Sequence, residues 1–199
     1  GVPGRQFNRN CHRAGWSPQL SDHFTFMFDE LMKGGGVGAN YSAEYLAQTG
    51  AVTADVVVTI ACSPAHANTD EFLVDADDTY DMQLNVADSR EGWVEALRLL
   101  INLSTSSTET INLAVNVSGV RERGELLKGF GGTASGPAPL VDVLRGVADI
   151  LRGARGRCIT GMEAMSIDHA IAQCVVAGNV RRSARMSIMH WNDPDILDF

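Results

Sequence analysis

The sequence predicts an α/β fold with parallel strands, because stretches with the apolar period of a helix alternate with stretches that have the period of a strand. The clearest strand signal is at 111–117, where isoleucine, leucine and valine alternate with asparagine and alanine. Residues 56–61 are a short apolar run with three valines, typical of a buried strand. A chain of 199 residues that is 45% hydrophobic can fill one substantial core, so we expect a single segment, 1–199.

The first helix is predicted from Ser21, as its N-cap, to Lys33. Its apolar face consists of residues at helical spacing: Phe24, Met27, Phe28, Leu31 and Met32. The helix stops where the glycines of GGGVGAN begin, at 34–40. That run resembles a dinucleotide-binding fingerprint, but it follows a helix and lacks the strand–turn–helix frame, so we reject that interpretation.

Residues 63–81 are acidic and rich in turn-forming residues. The spacing of the carboxylates does not match a calcium-binding loop, so a solvated surface is favoured over a metal cluster. No zinc, NTPase or metalloprotease motif is present in the sequence, and its four cysteines form no CxxC pair. We therefore assign no metal ligands.

Three more helices follow. The second is predicted to start at Asp88 or Ser89, and the third at Pro139. The fourth starts at a capping box of Thr160 and Glu163 and ends at Gly178, with Cys174 as a small core residue. A last strand is predicted at 186–190.

A glycine-rich stretch, KGFGGTASGPAP at 128–139, separates two of these elements. Glycine lets a ligand approach the main chain closely, and hydroxyls of threonine and serine add donors, so the stretch suits an anionic or polar ligand. Taken alone, an ordinary glycine-rich turn is the commoner explanation. A second loop, at 178–184, carries Arg181 and Arg182, which would otherwise serve as a cap for the preceding helix. Together the two loops predict a nucleotide-binding α/β segment.

The net charge of −8 argues against a broad nucleic-acid-binding or anionic-membrane surface. No apolar run is long enough to span a membrane, and the N-terminus lacks the apolar core of a secretory signal. We therefore expect a cytoplasmic protein. The chain starts at Gly1 without an initiator methionine and stops abruptly at Phe199, so we expect a segment of a longer chain.

Four segments together resemble the adenosylcobalamin-dependent (class II) ribonucleotide reductases, and most closely their monomeric ribonucleoside-triphosphate reductase branch. They are FTFMFDELMKGGGVG at 24–38, DSREGWV at 88–94, residues 121–139 with the core GFGGTASGP, and VVAGNVRRSA at 175–184. They occur in the family's order. The resemblance implies the first half of the family's ten-stranded α/β barrel, with the effector-binding regions in helix 21–32 and in much of 42–182.

The resemblance also implies two loops that relay which deoxynucleoside triphosphate effector is bound into the choice of substrate base. Arg181 matches a nucleotide-contacting arginine of the second loop. The residues expected to bind substrate or effector are Gly35, Gly36, Gly129, Phe130, Gly131, Gly132, Thr133, Ala134, Ser135, Gly136, Gly178, Asn179, Val180, Arg181, Arg182 and Ser183.

Cys11, which follows Asn10, is by the same resemblance one of two cysteines that reduce the substrate and end as a disulfide; a lone cysteine would otherwise be structural. Such a thiol must be accessible for exchange with a thioredoxin-like or dithiol reductant. The resemblance further implies a ribonucleoside triphosphate substrate, an adenosylcobalamin-initiated thiyl-radical mechanism and a monomeric complete enzyme.

The chain lacks an NPCGE-like segment, where the family carries its radical cysteine, and it also lacks the second redox cysteine and the cobalamin-binding portion. We therefore expect these residues alone neither to reduce ribonucleotides nor to hold cobalamin tightly. A non-catalytic nucleotide-binding regulatory module is the alternative function. A purely structural α/β domain would require both loops to bind no nucleotide.

Overall fold

Helices and parallel strands alternate along the chain in the computed structural model, which describes residues 11–61, 80–126, 133–177 and 184–199. The elements are β1 Cys11–Arg13, α1 Leu20–Met32, β2 Gly36–Asn40, α2 Ala43–Leu46, β3 Asp55–Ala61, β4 Met82–Asn85, α3 Arg90–Ser106, β5 Thr110–Asn116, α4 Ala138–Gly153, α5 Gly161–Ala177 and β6 Ala184–Ile188. The predicted α/β class with parallel strands is confirmed.

The strands form two three-stranded sheets, ordered β1-β2-β6 and β3-β5-β4, and every pair among them is parallel. In the first sheet Cys11 lies level with Gly36, and Gly36 lies level with Ala184. In the second sheet β5 is central, and the predicted strand at 56–61 forms most of β3. The assignment of these strands to a five-stranded half of a barrel stays a prediction.

The start of α1 differs from the prediction. The helix begins at Leu20 with Gln19 as its N-cap, and Ser21 lies inside the helix and is completely buried. A buried side chain on the core face cannot turn back to cap the amino end, so Ser21 is not the cap that its type indicated. The helix ends at Met32, one residue before the predicted Lys33, which is its C-cap, and the glycines follow as predicted.

The other helix starts follow the local signals closely. Ser89 caps α3 by accepting a hydrogen bond from the Gly92 N–H at 3.0 Å. At α5, the Thr160 N–H donates to Glu163 Oε2 at 2.8 Å and the Glu163 N–H donates to Thr160 Oγ1 at 3.2 Å, so the predicted capping box is present. The third helix, α4, begins one residue before Pro139.

The helices share one apolar core. Helix α1 packs against α3 and α5, and α4 packs against α3, α5 and β3. The largest completely buried side chains come from these contacts and from the adjoining strands: Tyr41, Phe24, Phe28, Leu20, Met27, Leu31, Leu46, Ile60, Leu97, Leu100, Ile101 and Leu113. The face of α1 that was predicted from spacing is therefore its buried face, with Met32 only partly buried.

Of the acidic stretch predicted as a solvated surface, only residues 80 and 81 are described. Asp81 lies just before β4, and its Oδ2 accepts a hydrogen bond from the Asn112 N–H at 2.8 Å. In the described ranges, no group of three or more histidine, cysteine, aspartate or glutamate side chains could hold a metal ion. Nor is any helix within those ranges both long and apolar enough to cross a bilayer.

Candidate functional site

A cavity of about 520 Å³ lies where the chain before α4, the first turns of α4 and the last turns of α5 meet. Its lining consists of residues from these three segments: Arg123, Gly124, Thr133, Ala134, Ser135, Ala138, Pro139, Asp142, Val143, Ala170, Gln173, Cys174 and Ala177. Three residues predicted to bind nucleotide, Thr133, Ala134 and Ser135, are therefore in its wall.

One wall is a short antiparallel pairing of the chain on either side of 127–132. Leu126 pairs with Thr133, the Gly124 N–H donates to the Ala134 carbonyl at 2.9 Å, and the Ala134 N–H donates to the Glu125 carbonyl at 2.7 Å. The residues on the two sides of 127–132 are thereby held together beside the cavity.

Gly136 closes this wall in a conformation that requires glycine. Its φ is +75°, in the left-handed region, and a Cβ atom there would lie 3.1 Å from the backbone nitrogen of Arg123. Gly136 does not line the cavity itself. Its absent side chain lets the segment 133–136 lie directly against Arg123, which does.

The opposite wall is one face of α5. Ala170, Gln173, Cys174 and Ala177 recur at positions i, i+3, i+4 and i+7, so their side chains lie along one stripe. Small side chains leave space, and Gln173 brings an amide that can both donate and accept hydrogen bonds.

The charges of the lining come from Arg123 and Asp142, both on exposed parts of the wall. Cys174 is only 4% exposed, and burial, with the nearby negative charge of Asp142, raises the pKa of its thiol to about 12. The thiol is therefore neutral at physiological pH, and the prediction that Cys174 is a small core residue is confirmed.

A second feature is the face of the first sheet that carries Cys11. Side chains at the same level of a parallel sheet point to the same side, so Cys11, Gly36 and Ala184 share one face, with Arg13, Gly38 and Met186 two residues further along. Val37 and Ala39 of β2, which point to the opposite side, are each 2% exposed. The thiol of Cys11 is thus exposed beside residues with little or no side chain.

Gly35 has a packing role. A Cβ atom there would lie 3.0 Å from Cδ2 of His12 and 3.1 Å from the carbonyl oxygen of Glu30. The ring of His12 lies against the Glu30 carboxylate, with Nε2 and Oε2 3.2 Å apart. Gly35 therefore allows β1 to approach α1, and neither Gly35 nor Gly36 lines the cavity.

The remaining predicted site residues lie outside the described part of the chain: Gly129, Phe130, Gly131, Gly132, Gly178, Asn179, Val180, Arg181, Arg182 and Ser183. The described residues that flank them are informative. Residues 178–183 connect Ala177, which lines the cavity, with Ala184, which lies in the same row of the sheet as Gly36 and Cys11.

Sequence reasoning missed Arg123, Asp142 and Gln173 as lining residues. Arg123 belongs to no motif by itself, and the two helical residues occupy polar positions that usually face solvent. The stripe of small and polar residues along α5 was a usable signal, since that face lacks the large apolar side chains of a core contact.

Comparison with known proteins gives the same family over the whole chain. Residues 48–151 match the family model described as the insertion domain of B12-dependent ribonucleotide reductase. The adenosylcobalamin-dependent ribonucleoside-triphosphate reductase of Lactobacillus leichmannii is 36% identical over 192 aligned positions, in an alignment that covers 89% of this chain and 26% of that protein. A Mycobacterium phage D29 protein named "Putative adenosylcobalamin-dependent ribonucleoside-triphosphate reductase" is 45% identical over 216 aligned positions. That alignment covers 100% of this chain and 31% of the phage protein.

A crystal structure of a B12-dependent (class II) ribonucleotide reductase superposes on the chain with a TM-score of 0.80 and 30% identity, covering 96% of this chain and 30% of that one. The chain thus spans between a quarter and a third of the length of the proteins that it matches. The family model alone covers more than half of the chain. The chain belongs to the B12-dependent ribonucleotide reductases, and its residues 48–151 correspond to their insertion domain.

Proposed function

We propose that this chain is the part of an adenosylcobalamin-dependent ribonucleoside-triphosphate reductase that binds the deoxynucleotide effector and supplies one of the two reducing thiols. One observation supports the proposal: Ala177 lines the cavity, and Ala184, only seven positions further along the chain, lies in the row of the sheet that contains Cys11. A ligand in the cavity can therefore influence the backbone beside the thiol through a single short segment.

The cavity suits a nucleoside triphosphate. Its volume of about 520 Å³ lies within the roughly 300–1,000 Å³ typical of small-molecule sites. The guanidinium of Arg123 is suited to a phosphate group, and the hydroxyls of Thr133 and Ser135 can donate to phosphate or ribose oxygens. Asp142 and Gln173 can hydrogen-bond to the edge of a base. We propose that residues 129–132 and 178–183, which lie outside the described ranges, also contribute to binding.

Cys11 would act on the substrate. Reduction of a ribonucleotide at its 2′ carbon takes two electrons and two protons from a pair of thiols, releases the 2′-hydroxyl as water and leaves a disulfide. Cys11 is exposed, and glycine and alanine beside it leave room for a ribose. Its partner cysteine would come from outside this chain, as would the cysteine of the thiyl-radical mechanism, and a thioredoxin-like or dithiol reductant would restore the thiols.

The cavity does not fit adenosylcobalamin. A corrinoid with its adenosyl and benzimidazole groups is far larger than a nucleotide, and a volume of about 520 Å³ has nucleotide-like dimensions. We therefore derive no step through the cofactor and expect it to be bound mainly by residues outside this chain.

The effector proposal is tested by titrating the 199-residue chain with each deoxynucleoside triphosphate in a calorimeter. Replacing Arg123 by Ala should weaken binding about tenfold, because a charge-assisted hydrogen bond to phosphate is lost from an exposed position. The matched control is Arg145→Ala, which removes an arginine from α4 at a position that does not line the cavity. Equal affinities for the wild type and the Arg123→Ala variant would refute the placement of the phosphates.

The catalytic proposal is tested on the complete product of the gene that carries this sequence, with ribonucleoside triphosphates, adenosylcobalamin and a dithiol. Cys11→Ser should abolish multiple turnover while nucleotide affinity stays within about twofold, because the loss falls on the chemical step. Sustained turnover by the variant would refute the role of Cys11. Binding of effector without any reduction by the wild type would favour the non-catalytic regulatory module.

A further inference from the structure

A buried polar cluster of Tyr41, Asp168 and His23 lies between the elements that flank residues 178–183. Asp168 is on α5, Tyr41 directly follows β2, and His23 is on α1. Tyr41 and Asp168 are completely buried and His23 is 2% exposed. Polar groups are costly to bury, so a cluster of three in an apolar core needs a reason beyond filling space.

The contacts in this cluster are direct. The hydroxyl of Tyr41 donates to Asp168 Oδ2 at 2.6 Å, and Nε2 of His23 lies 2.9 Å from the same oxygen. Nδ1 of His23 donates to the carbonyl of Gly15 at 3.1 Å, since that carbonyl can only accept. The indole of Trp16 stacks on the His23 ring with centroids 3.6 Å apart. The carboxylate thereby fixes α5 to α1 and to the end of β2.

Tyr41 also contacts the strand that follows residues 178–183. Its backbone N–H donates to the carbonyl of Ile188 on β6 at 2.8 Å. Burial and the negative charge of Asp168 raise the pKa of Tyr41, while the positive charge of Arg185 and a hydrogen bond with Ser187 act in the opposite direction. The hydroxyl is therefore a permanent donor that lies among groups from α5 and from β6.

Residues 178–183 are the only connection in the sequence between α5 and β6. Tyr41 contacts α5 at Asp168 through its side chain and β6 at Ile188 through its backbone, so it joins the helix before that segment to the strand after it. The neighbouring Ser42 adds a second hydrogen bond to the chain just after β6, because its hydroxyl accepts from the His190 N–H at 2.8 Å. A shift of α5 relative to β6 would have to break or bend the bond from Tyr41 to Asp168.

We infer that Tyr41, through Asp168, is a positioning residue for the segment 178–183 and sets how strongly the effector in the cavity controls the choice of substrate. This inference rests on the proposed function. Tyr41 does not line the cavity and lies on the buried side of the first sheet, so it touches neither nucleotide. Its influence is on the spacing of the elements that carry the segment.

The test is Tyr41→Phe in the complete gene product, which removes one hydroxyl and keeps the ring. Substrate discrimination is measured as the ratio of kcat/KM values for two ribonucleoside triphosphates, with and without each effector. We expect the effector-induced change in this ratio to fall about three- to tenfold, the range for residues that modulate coupling, while the effector-free kcat/KM changes less than about twofold.

The matched control is Ser104→Ala, which removes a hydroxyl that is 1% exposed and bonds only within α3, to the Leu100 carbonyl at 3.0 Å. It should leave discrimination within about twofold of the wild type. An equal loss in the control, or full discrimination in Tyr41→Phe, would overturn the inference while leaving the proposed function intact.

If Tyr41→Phe does not yield folded protein, Asp168→Leu replaces it. The leucine side chain has a similar size but no acceptor for the Tyr41 hydroxyl, so the same loss of discrimination is expected, and unchanged discrimination would overturn the inference. A wild-type protein that reduces no ribonucleotide would refute the proposed function itself, and the inference with it.

Discussion

The amino end of α5 packs so closely against the chain after β2 that its first residue must be glycine. A Cβ atom at Gly161 would fall inside contact distance of the Tyr41 carbonyl oxygen and 2.8 Å from Cε of Met189. The methionine methyl can move, but the carbonyl belongs to a backbone that is hydrogen-bonded to β6. We therefore predict that Gly161→Ala destabilises the protein.

The size of the effect follows from two opposing terms. Alanine is favoured over glycine inside a helix by about 0.5–1 kcal/mol, and less at a first position. Forcing a methyl group into a filled space costs about 1–3 kcal/mol, because the backbone must shift. The expected net change is a loss of about 1–2 kcal/mol in the free energy of unfolding.

Gly146 of α4 provides the matched control, because a Cβ atom there meets nothing within 4 Å. Gly146→Ala should therefore stabilise the protein by about 0.5–1 kcal/mol through helix propensity alone. Urea unfolding of both variants, followed by circular dichroism, gives the two free energies. If Gly161→Ala is as stable as Gly146→Ala, the close approach of α5 to Tyr41 is wrong.

Two further predictions concern ionisable groups. Arg157 and Glu163 form a bidentate ion pair at 2.6 and 2.7 Å, and Glu163 also accepts a hydrogen bond from the Thr160 backbone. Both contacts lower the pKa of Glu163 from its usual 4.5. The stabilisation is therefore present above pH 4.5 and disappears as the pH falls through the lowered pKa. Glu163→Gln should lower the free energy of unfolding by about 0.5–1 kcal/mol at pH 7 and leave it unchanged at acidic pH, as measured by thermal unfolding across a pH series. A loss of stability that is the same at every pH would contradict this. Iodoacetamide should alkylate Cys11 well before Cys174 in the native chain. Cys11 is exposed, whereas the raised pKa of Cys174, about 12, keeps its buried thiol neutral. Peptide mass spectrometry measures the two alkylation rates, and equal rates would contradict the prediction.

The elements that were predicted from sequence are those whose signal is local. Three such signals depend only on residues that are close in sequence, and the structure has each where it was predicted: the Ser89 cap, the Thr160–Glu163 capping box and the alternating residues of β5. The serine at 21 shows the limit of such signals, because burial of its side chain in the core overrides its preference for a cap.

The strands that were missed depend on distant partners. β1 is only three residues, Cys11–Arg13, and β2 contains two glycines, so neither has strand propensity of its own. They are strands because they lie in parallel register with each other and with β6. The cavity was missed in part for the same reason, since Arg123 and Gln173 are brought together only by the packing of α4 on α5.

The parallel register of the first sheet also determines the order in which this protein can fold. Its central strand pairs on one side with residues 11–13 and on the other with residues 184–188, near the opposite end of the sequence. On a ribosome, β2 emerges long before β6 exists, so its second edge remains open while the residues between the two strands are still being made. Pairings this distant in sequence close slowly. Any nascent chain that stops before β6 therefore presents an unpaired strand edge, and we expect such products to require chaperones or to aggregate.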